Sequence, residues 1–333
     1  MKAIIPVAGV GSRLRPHTFT RPKVLLNVAG KPILGHILDH LVASGIDHVT
    51  LVVGAMGDLI ERYVSENYSI PSEFVVQHEA RGLAHAVHLG LTPEDQEVLV
   101  ILGDTIFEFD LQGVLANSGT SAIGVKTVDD PRRFGVVETR DSMVTRLVEK
   151  PENPRSNLVI VGIYLIRQAQ ALKSAIEMLF ERNLTTRGEF QLTDALQLMI
   201  EHDVPISTFG VENWFDCGKP ETLLDTNRHL LNTRSGKTVE QRDGAVIVPP
   251  VFIHPDAIIE QAIVGPHATV GKGAKIRNAM VRDAILGEGA HVEDALVSGS
   301  LVGNNAVVKG NFHRYNLGDS SAIIEGGRDG DEL

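Results

Sequence analysis

The 333-residue chain has one cysteine, Cys217, and one tryptophan, Trp214. A lone cysteine excludes an internal disulfide and a thiolate metal cluster, and it suits a reducing compartment. No apolar run approaches the roughly 20 residues of a membrane span. Positive charge is scarce as well: 31 Lys and Arg against 42 Asp and Glu leave a net charge of −11. Such a chain has no general attraction for nucleic acid or an anionic membrane. A site for polyphosphate must therefore build its positive field locally. Met1-Lys2 runs straight into an apolar stretch, leaving no room for a signal sequence, and a cytoplasmic location is expected. The final Gly-Asp-Glu-Leu is no retention signal without an entry signal, and the last residues read as an acidic tail.

A local field of that kind is present near the start. Ala3-Ile4-Ile5-Pro6-Val7 has strand composition, and Ala8-Gly9-Val10-Gly11-Ser12-Arg13-Leu14-Arg15 follows, with Arg21-Pro22-Lys23 downstream. Glycines let backbone N–H groups approach a ligand, and a turn of N–H groups closed by cations suits phosphate. The spacing is not that of a P-loop. A dinucleotide loop is also a poor match, since Leu14 stands where its third glycine belongs.

Alternating strand and helix patterns continue from there. The three- and four-residue repeat of Ile33, Leu34, Ile37, Leu38, Leu41 and Val42 predicts a helix ending at Gly45. Strands are expected at 47–53, 74–77 and 98–102, with helices at 57–67 and 83–91. Gly103-Asp104 closes the last of those strands. This order implies a largely parallel sheet covered on both faces, with ligands beyond its carboxyl edge. Residues 121–166 are strand-rich, helices follow at 169–181 and 191–201, and Pro220 opens another after Trp214-Phe215-Asp216.

Past residue 244 the helical periodicity disappears. Val270-Gly271, Leu286-Gly287 and Val302-Gly303 recur every 16 residues, as do Ala274, Ala290 and Ala306. Within a repeat, Val264, Val270 and Ile276 stand six apart, the hexapeptide pattern of a short left-handed parallel β-helix of four or five coils. The expected architecture is an α/β, Rossmann-like mixed and mainly parallel sheet over residues 1–235, the β-helix over 244–320, and the tail over 321–333.

Eight motifs in this order resemble the sugar-1-phosphate nucleotidyltransferases of the glucose-1-phosphate thymidylyltransferase and UDP-glucose pyrophosphorylase type. They are the loop Gly9 to Leu14 with Pro22-Lys23; Gln77 with Gly82-Leu83-Ala84-His85-Ala86; Gly103-Asp104; Phe134-Gly135-Val136-Val137-Glu138; Glu149-Lys150-Pro151; Gly162-Ile163-Tyr164; Arg187 to Asp194; and Trp214 to Gly218. In that chemistry a sugar 1-phosphate attacks the α-phosphorus of a nucleoside triphosphate and expels pyrophosphate. A phosphate whose second pKa is about 6 needs no general base, so the protein must position two polyanions and offset their charge.

By this resemblance Arg13 and Lys23 act on the triphosphate and Lys150 on the sugar phosphate, while Asp104 and Asp216 hold Mg²⁺. Ala8, Gly9, Gly11, Ser12, Gln77 and Gly82 would bind the nucleotide. Gln77 offers a donor and an acceptor to the imide edge of uracil or thymine, and Gly82 lets the base approach. Gly135, Glu149, Ile160 through its backbone, and Tyr164 would bind the sugar. The implied partners are a nucleoside triphosphate and a sugar 1-phosphate, in a homo-oligomer, with no nucleic acid or membrane.

Two departures stand out. The loop is one glycine shorter than the usual thymidylyltransferase form, and Phe134 replaces an aromatic hydroxyl. Alternatives are a mannose-1-phosphate guanylyltransferase, a non-catalytic regulatory homologue, or acyltransfer through His254, His267 or His291. His85 and His88 share a helix face without a completing ligand and read as solvated side chains.

Overall fold

The computed structural model describes residues 1–234 and 244–310. The expected coil at 311–320 and the tail at 321–333 lie outside the described residues.

Eleven strands and seven helices of residues 1–234 carry the argument. The strands are β1 (Lys2–Pro6), β2 (His48–Val53), β3 (Ser72–Val76), β4 (Val98–Ile101), β5 (Thr105–Glu108), β6 (Ser121–Thr127), β7 (Gly135–Arg140), β8 (Met143–Glu149), β9 (Leu158–Ile166), β10 (Ile206–Gly210) and β11 (Asn213–Asp216). The helices are α1 (Ile33–Ala43), α2 (Gly57–Asn67), α3 (Leu83–Gly90), α4 (Leu111–Asn117), α5 (Ala169–Glu181), α6 (Leu192–Glu201) and α7 (Pro220–Arg234). Nine strands form one sheet in the order β3-β2-β1-β4-β9-β6-β10-β8-β7, while β5 and β11 pair separately.

The sheet is mixed. Its parallel pairs are β3-β2, β2-β1, β1-β4 and β6-β10, whereas β9 runs antiparallel to both β4 and β6, and β8 antiparallel to both β10 and β7, so the sheet is less parallel than expected. The chain leaves β1 toward β2 and β3 and then returns to its other side as β4. A crevice therefore opens beyond the carboxyl ends of β1 and β4, where connections depart in opposite directions.

Side chains of β1 alternate between two cores. Ala3 and Ile5 pack with Leu34, Leu38 and Leu41 of α1, while Ile4 packs with Ala84 and Val87 of α3 and with α5 and α6. Continuous aliphatic strands such as β4, buried at every position, are what a sheet covered on both faces requires. The strand β5, the helix α4 and the strand β10 were absent from the sequence-based expectation. β5 and β10 are short, and α4 is about two turns held by Asp110, whose carboxylate accepts from Gly113 N at 2.8 Å.

Residues 245–309 form parallel coils. Val251 pairs with Ala268 seventeen residues on, Ala268 with Ala284, and Lys275 with His291, so the 16-residue period of the sequence is the coil repeat. Val264, Val270, Val281 and Val292 are fully buried in the centre of the stack.

Helix α7 joins the stack to the α/β unit. Asn227 is fully buried. Its Oδ1 accepts from Ala29 N at 2.9 Å and Thr269 Oγ1 at 2.7 Å, and its Nδ2 donates to His267 O at 3.1 Å. Arg228 makes a fork on Asp283, with both N–O distances 2.5 Å. Ile285 of the stack belongs to the same apolar core as β1 and α1. Replacing Asn227 by Ala strands three polar groups, and chemical denaturation should show a loss of about 2–4 kcal/mol. A loss below about 0.5 kcal/mol, the range of an ordinary surface substitution, would contradict this role for α7.

Candidate active site

At the crevice beyond β1 and β4 lies a cleft of about 430 Å³. Ala8, Gly9, Gly11, Ser12, Arg13, Lys23, Gln77, Gly82 and Asp104 all line it, so the expected nucleotide residues converge. β1 delivers the chain to the loop, and Leu14, fully buried, anchors the short 3₁₀ turn Ser12–Leu14 from below. Arg13 is thereby left exposed at the rim. Gly11 enters that turn at φ 64°, and Thr18 Oγ1 donates to its carbonyl at 2.8 Å. A Cβ on Gly9 would meet nothing within 4 Å, so the space above the loop is open.

Charge is concentrated at one end of this cleft. Lys23, with only 8% of its side chain exposed, donates from Nζ to Asp104 Oδ2 at 2.8 Å. Asp104 sits in the turn just before β5, not before a helix, so it is no helix cap. Its carbonyl accepts from Cys217 N at 3.1 Å, which fixes it beside the end of β11. Asp216, the last residue of β11, pairs with Thr105. The position a Cβ would take on Gly218 is 2.7 Å from Asp216 Oδ1 and 3.3 Å from Arg13 Nη2, so those groups share one corner. Burial pushes the Cys217 thiol up to about 12, with Lys23, Asp104 and Asp216 all acting on it. The thiol stays protonated and offers no nucleophile.

Among the described residues no cluster of three or more His, Cys, Asp or Glu side chains is arranged for a metal. Two hard carboxylates that leave further positions to phosphate oxygens and water suit a magnesium-like ion, and Asp104 keeps 41% of its side chain exposed for that purpose.

Gln77 also lines the cleft. Its Nε2 donates to Gly82 O at 3.3 Å and to His85 Nδ1 at 3.0 Å. The amide nitrogen is already engaged, so Gln77 presents chiefly its oxygen to the cleft. This corrects the expectation of a donor and an acceptor together. His85 is not a merely solvated histidine. Its ring and that of His88 pack edge-on against Phe180, and His88 meets Glu177 at 3.3 Å. Burial, then Arg81 and His88, lower the His85 pKa, keeping Nδ1 an acceptor. Gly82 has φ 112°, and a Cβ there would lie 2.5 Å from Phe190 O. The glycine is thus demanded by the crossing of residues 186–190, beyond any approach of a base.

The expected sugar residues form a second group. Thr193 Oγ1 donates to Glu149 Oε2 at 2.7 Å, and Lys150 Nζ pairs with Glu149 Oε1 at 2.9 Å. A Cβ on Gly135 would sit 3.1 Å from Glu149 Oε2 and 3.0 Å from Ile160 Cδ1. Tyr164 is buried beside Glu149, and burial followed by that carboxylate raises its hydroxyl above the ordinary range. Burial raises Asp194 too, against a 2.7 Å hydrogen bond from Thr186.

Lys150, Gly135, Glu149, Ile160, Tyr164 and Asp216 do not line the nucleotide cleft itself. Two features join the groups. β9 bulges between Ile160 and Tyr164, where Gly162 O accepts from Leu102 N at 3.0 Å, and Leu102 lines the cleft. Phe134 accepts from Lys150 N at 3.0 Å and packs its ring on Trp214, two residues before Asp216. Sequence reasoning assigned no role to Thr193, Glu189 or His85. All three lie within quoted motifs, and only their tertiary contacts single them out.

The family described as Nucleotidyl transferase matches residues 2–233. Over 268 residues the chain is 37% identical to the bifunctional protein GlmU of Methanocaldococcus jannaschii, covering 79% of this chain but only 61% of that protein. It is 36% identical to the UTP–glucose-1-phosphate uridylyltransferase AglF of Haloferax volcanii, covering 69% of this chain and 96% of that one. A crystal structure from Bacillus anthracis, assigned as a glucose-1-phosphate thymidylyltransferase, superposes with a TM-score of 0.62 at 29% identity, over 71% of this chain and 98% of that one. With that match running over residues 2–233, the chain belongs to the nucleotidyl transferase family.

Proposed function

We propose that the protein transfers a nucleoside monophosphate from UTP or dTTP to a sugar 1-phosphate, glucose 1-phosphate foremost, releasing pyrophosphate. The observation that carries this reading is that Arg13, Lys23, Asp104 and Gln77 line one nucleotide-sized cleft, with Asp216 beside Arg13 at its corner. Arg13 and Lys23 offset charge on the α-phosphate and the departing pyrophosphate, and Lys150 holds the incoming sugar phosphate. Loop N–H groups from Ala8 to Ser12 orient the triphosphate. Gly135, Glu149, the Ile160 backbone and Tyr164 bind sugar hydroxyls, and Thr193 orients Glu149.

Members of this family generally use a divalent metal. We assign Mg²⁺ to Asp104 and Asp216, whose carboxylates would hold it; the ion would supply positive charge against the phosphates. The Gln77 oxygen, being an acceptor, can take the ring N–H of uracil or thymine. Guanine shares that feature, so a guanylyltransferase is the competing specificity.

The proposal extends to the whole chain. Residues 1–234 serve as the catalytic domain, and the coils of 244–310 as a left-handed β-helix that packs against it or mediates homo-oligomer assembly. A buried lone thiol supports the cytoplasmic setting. Acyltransfer is disfavoured at His267, whose Nε2 meets Asn232 Oδ1 at 3.1 Å in the α7 interface. No helix of the described residues is long and apolar enough to cross a membrane.

Pyrophosphate release from UTP or dTTP with glucose 1-phosphate should fall by about 10²–10³ in Asp104→Ala. Equal background from wild type and variant would instead favour a silent homologue.

The His85 contact gives a pH dependence. Its folded pKa lies below 6.5, so the ring accepts from Gln77 at neutral pH and loses that capacity only as pH falls. The KM for the triphosphate should rise by about fivefold on acidification in wild type, the worth of one hydrogen bond. In His85→Leu it should be raised and flat with pH. A pH-dependent KM in that variant would contradict the assignment.

A further inference from the structure

Arg21 stands beside Pro22-Lys23 in the sequence, among the cations of the opening motif, yet it does not line the nucleotide cleft. It lines a separate cavity of about 290 Å³ between residues 16–27, helix α7 and the coil stack. Arg21 is half-buried, and none of its nitrogens makes a hydrogen bond or ion pair among the described residues. A guanidinium with no acceptor in the protein keeps its fork of donors for a ligand, and donors of this kind suit a phosphate or carboxylate.

His17 joins it from the same loop, half-buried, with Nδ1 3.6 Å from the point a Cβ on Gly303 would occupy. Gly303 therefore leaves the gap into which the ring projects. Thr20, Asn27 and Asn304 add neutral polar groups, and Leu26, Leu223, Ile285 and Leu301 supply an apolar wall. The mixture is that of a small-molecule pocket: a few convergent polar groups on a mainly apolar surface. Its volume is about two-thirds of that of the nucleotide cleft, 290 against 430 Å³, which favours a compact phosphorylated sugar over a nucleoside triphosphate.

We infer that this cavity is a second ligand site, binding a small sugar phosphomonoester through Arg21 and His17. The segment forming one wall also carries Lys23 and, through Thr18, supports Gly11 of the nucleotide loop. An occupant would bridge the coil stack to that segment and stabilise the arrangement in which Lys23 reaches Asp104. The coil stack would thus act on turnover through a ligand at its junction with α7.

Isothermal titration of the full-length protein with glucose 6-phosphate, ribose 5-phosphate and inorganic phosphate tests the inference. At least one sugar phosphate should bind wild type, and Arg21→Gln should weaken it by about tenfold or more, the loss of a charge-assisted contact. Gly303→Val, which fills the gap beside His17, should weaken it similarly. Lys150→Ala should leave it intact, which separates this site from the proposed sugar-phosphate end of the active site. Binding of inorganic phosphate alone, at the same affinity in wild type and Arg21→Gln, would overturn the inference. So would an absence of heat with all three probes, or sugar-phosphate binding lost in Lys150→Ala and kept in Arg21→Gln. Should Arg21→Gln fail to fold, His17→Gln carries the same expectation.

Discussion

The contact between Lys23 and Asp104 is the constraint around which the rest of the molecule is arranged. A lysine with 8% of its side chain exposed must have a partner, and the carboxylate 2.8 Å away is held in turn by the backbone bond from Cys217 to Asp104. Through that pair the loop after β1, the turn after β4 and the end of β11 are locked into one corner. In a chain of net charge −11 it is this corner that gathers fixed cations where a triphosphate can reach them.

The sheet explains why the corner lies where it does. Parallel strands β1 and β4 deliver their following loops to the same edge, and the reversal of chain direction between them opens the crevice. The antiparallel half supplies the second group from a different logic: β7 and β8 pair to bring Gly135 opposite Glu149, and the bulge in β9 turns backbone toward Leu102. Residues 186–190 cross between Gly82 and Lys150 and tie the two groups together, with Arg187 Nη2 3.5 Å from Lys150 O. Helix α7 then fastens the coil stack against the loop that carries Lys23.

Much of this was legible in the sequence. The helices at 57–67 and 169–181 have the expected bounds, because their apolar spacing is regular and Gly or a polar turn ends each. The coil repeat was equally plain, since a 16-residue register leaves its mark at every buried position. The loop, Gln77 and Asp104 converge as expected because strand-end position alone determines their edge. What escaped was tertiary. The direction of Arg21, the Gln77–His85 contact and the Thr193–Glu149 bond depend on which segments cross, and neither composition nor period encodes that. β5 and α4 were missed because each is too short for its periodicity to rise above chance.

The central claim is that the protein contributes position and charge while the sugar phosphate itself attacks phosphorus. The stereochemistry at the α-phosphorus tests it most directly, using a triphosphate made chiral there by sulfur substitution, with glucose 1-phosphate as acceptor. A single in-line displacement predicts inversion of configuration in the nucleotide-sugar product. Retention would mean two displacements through a covalent nucleotidyl-protein, and would contradict the account.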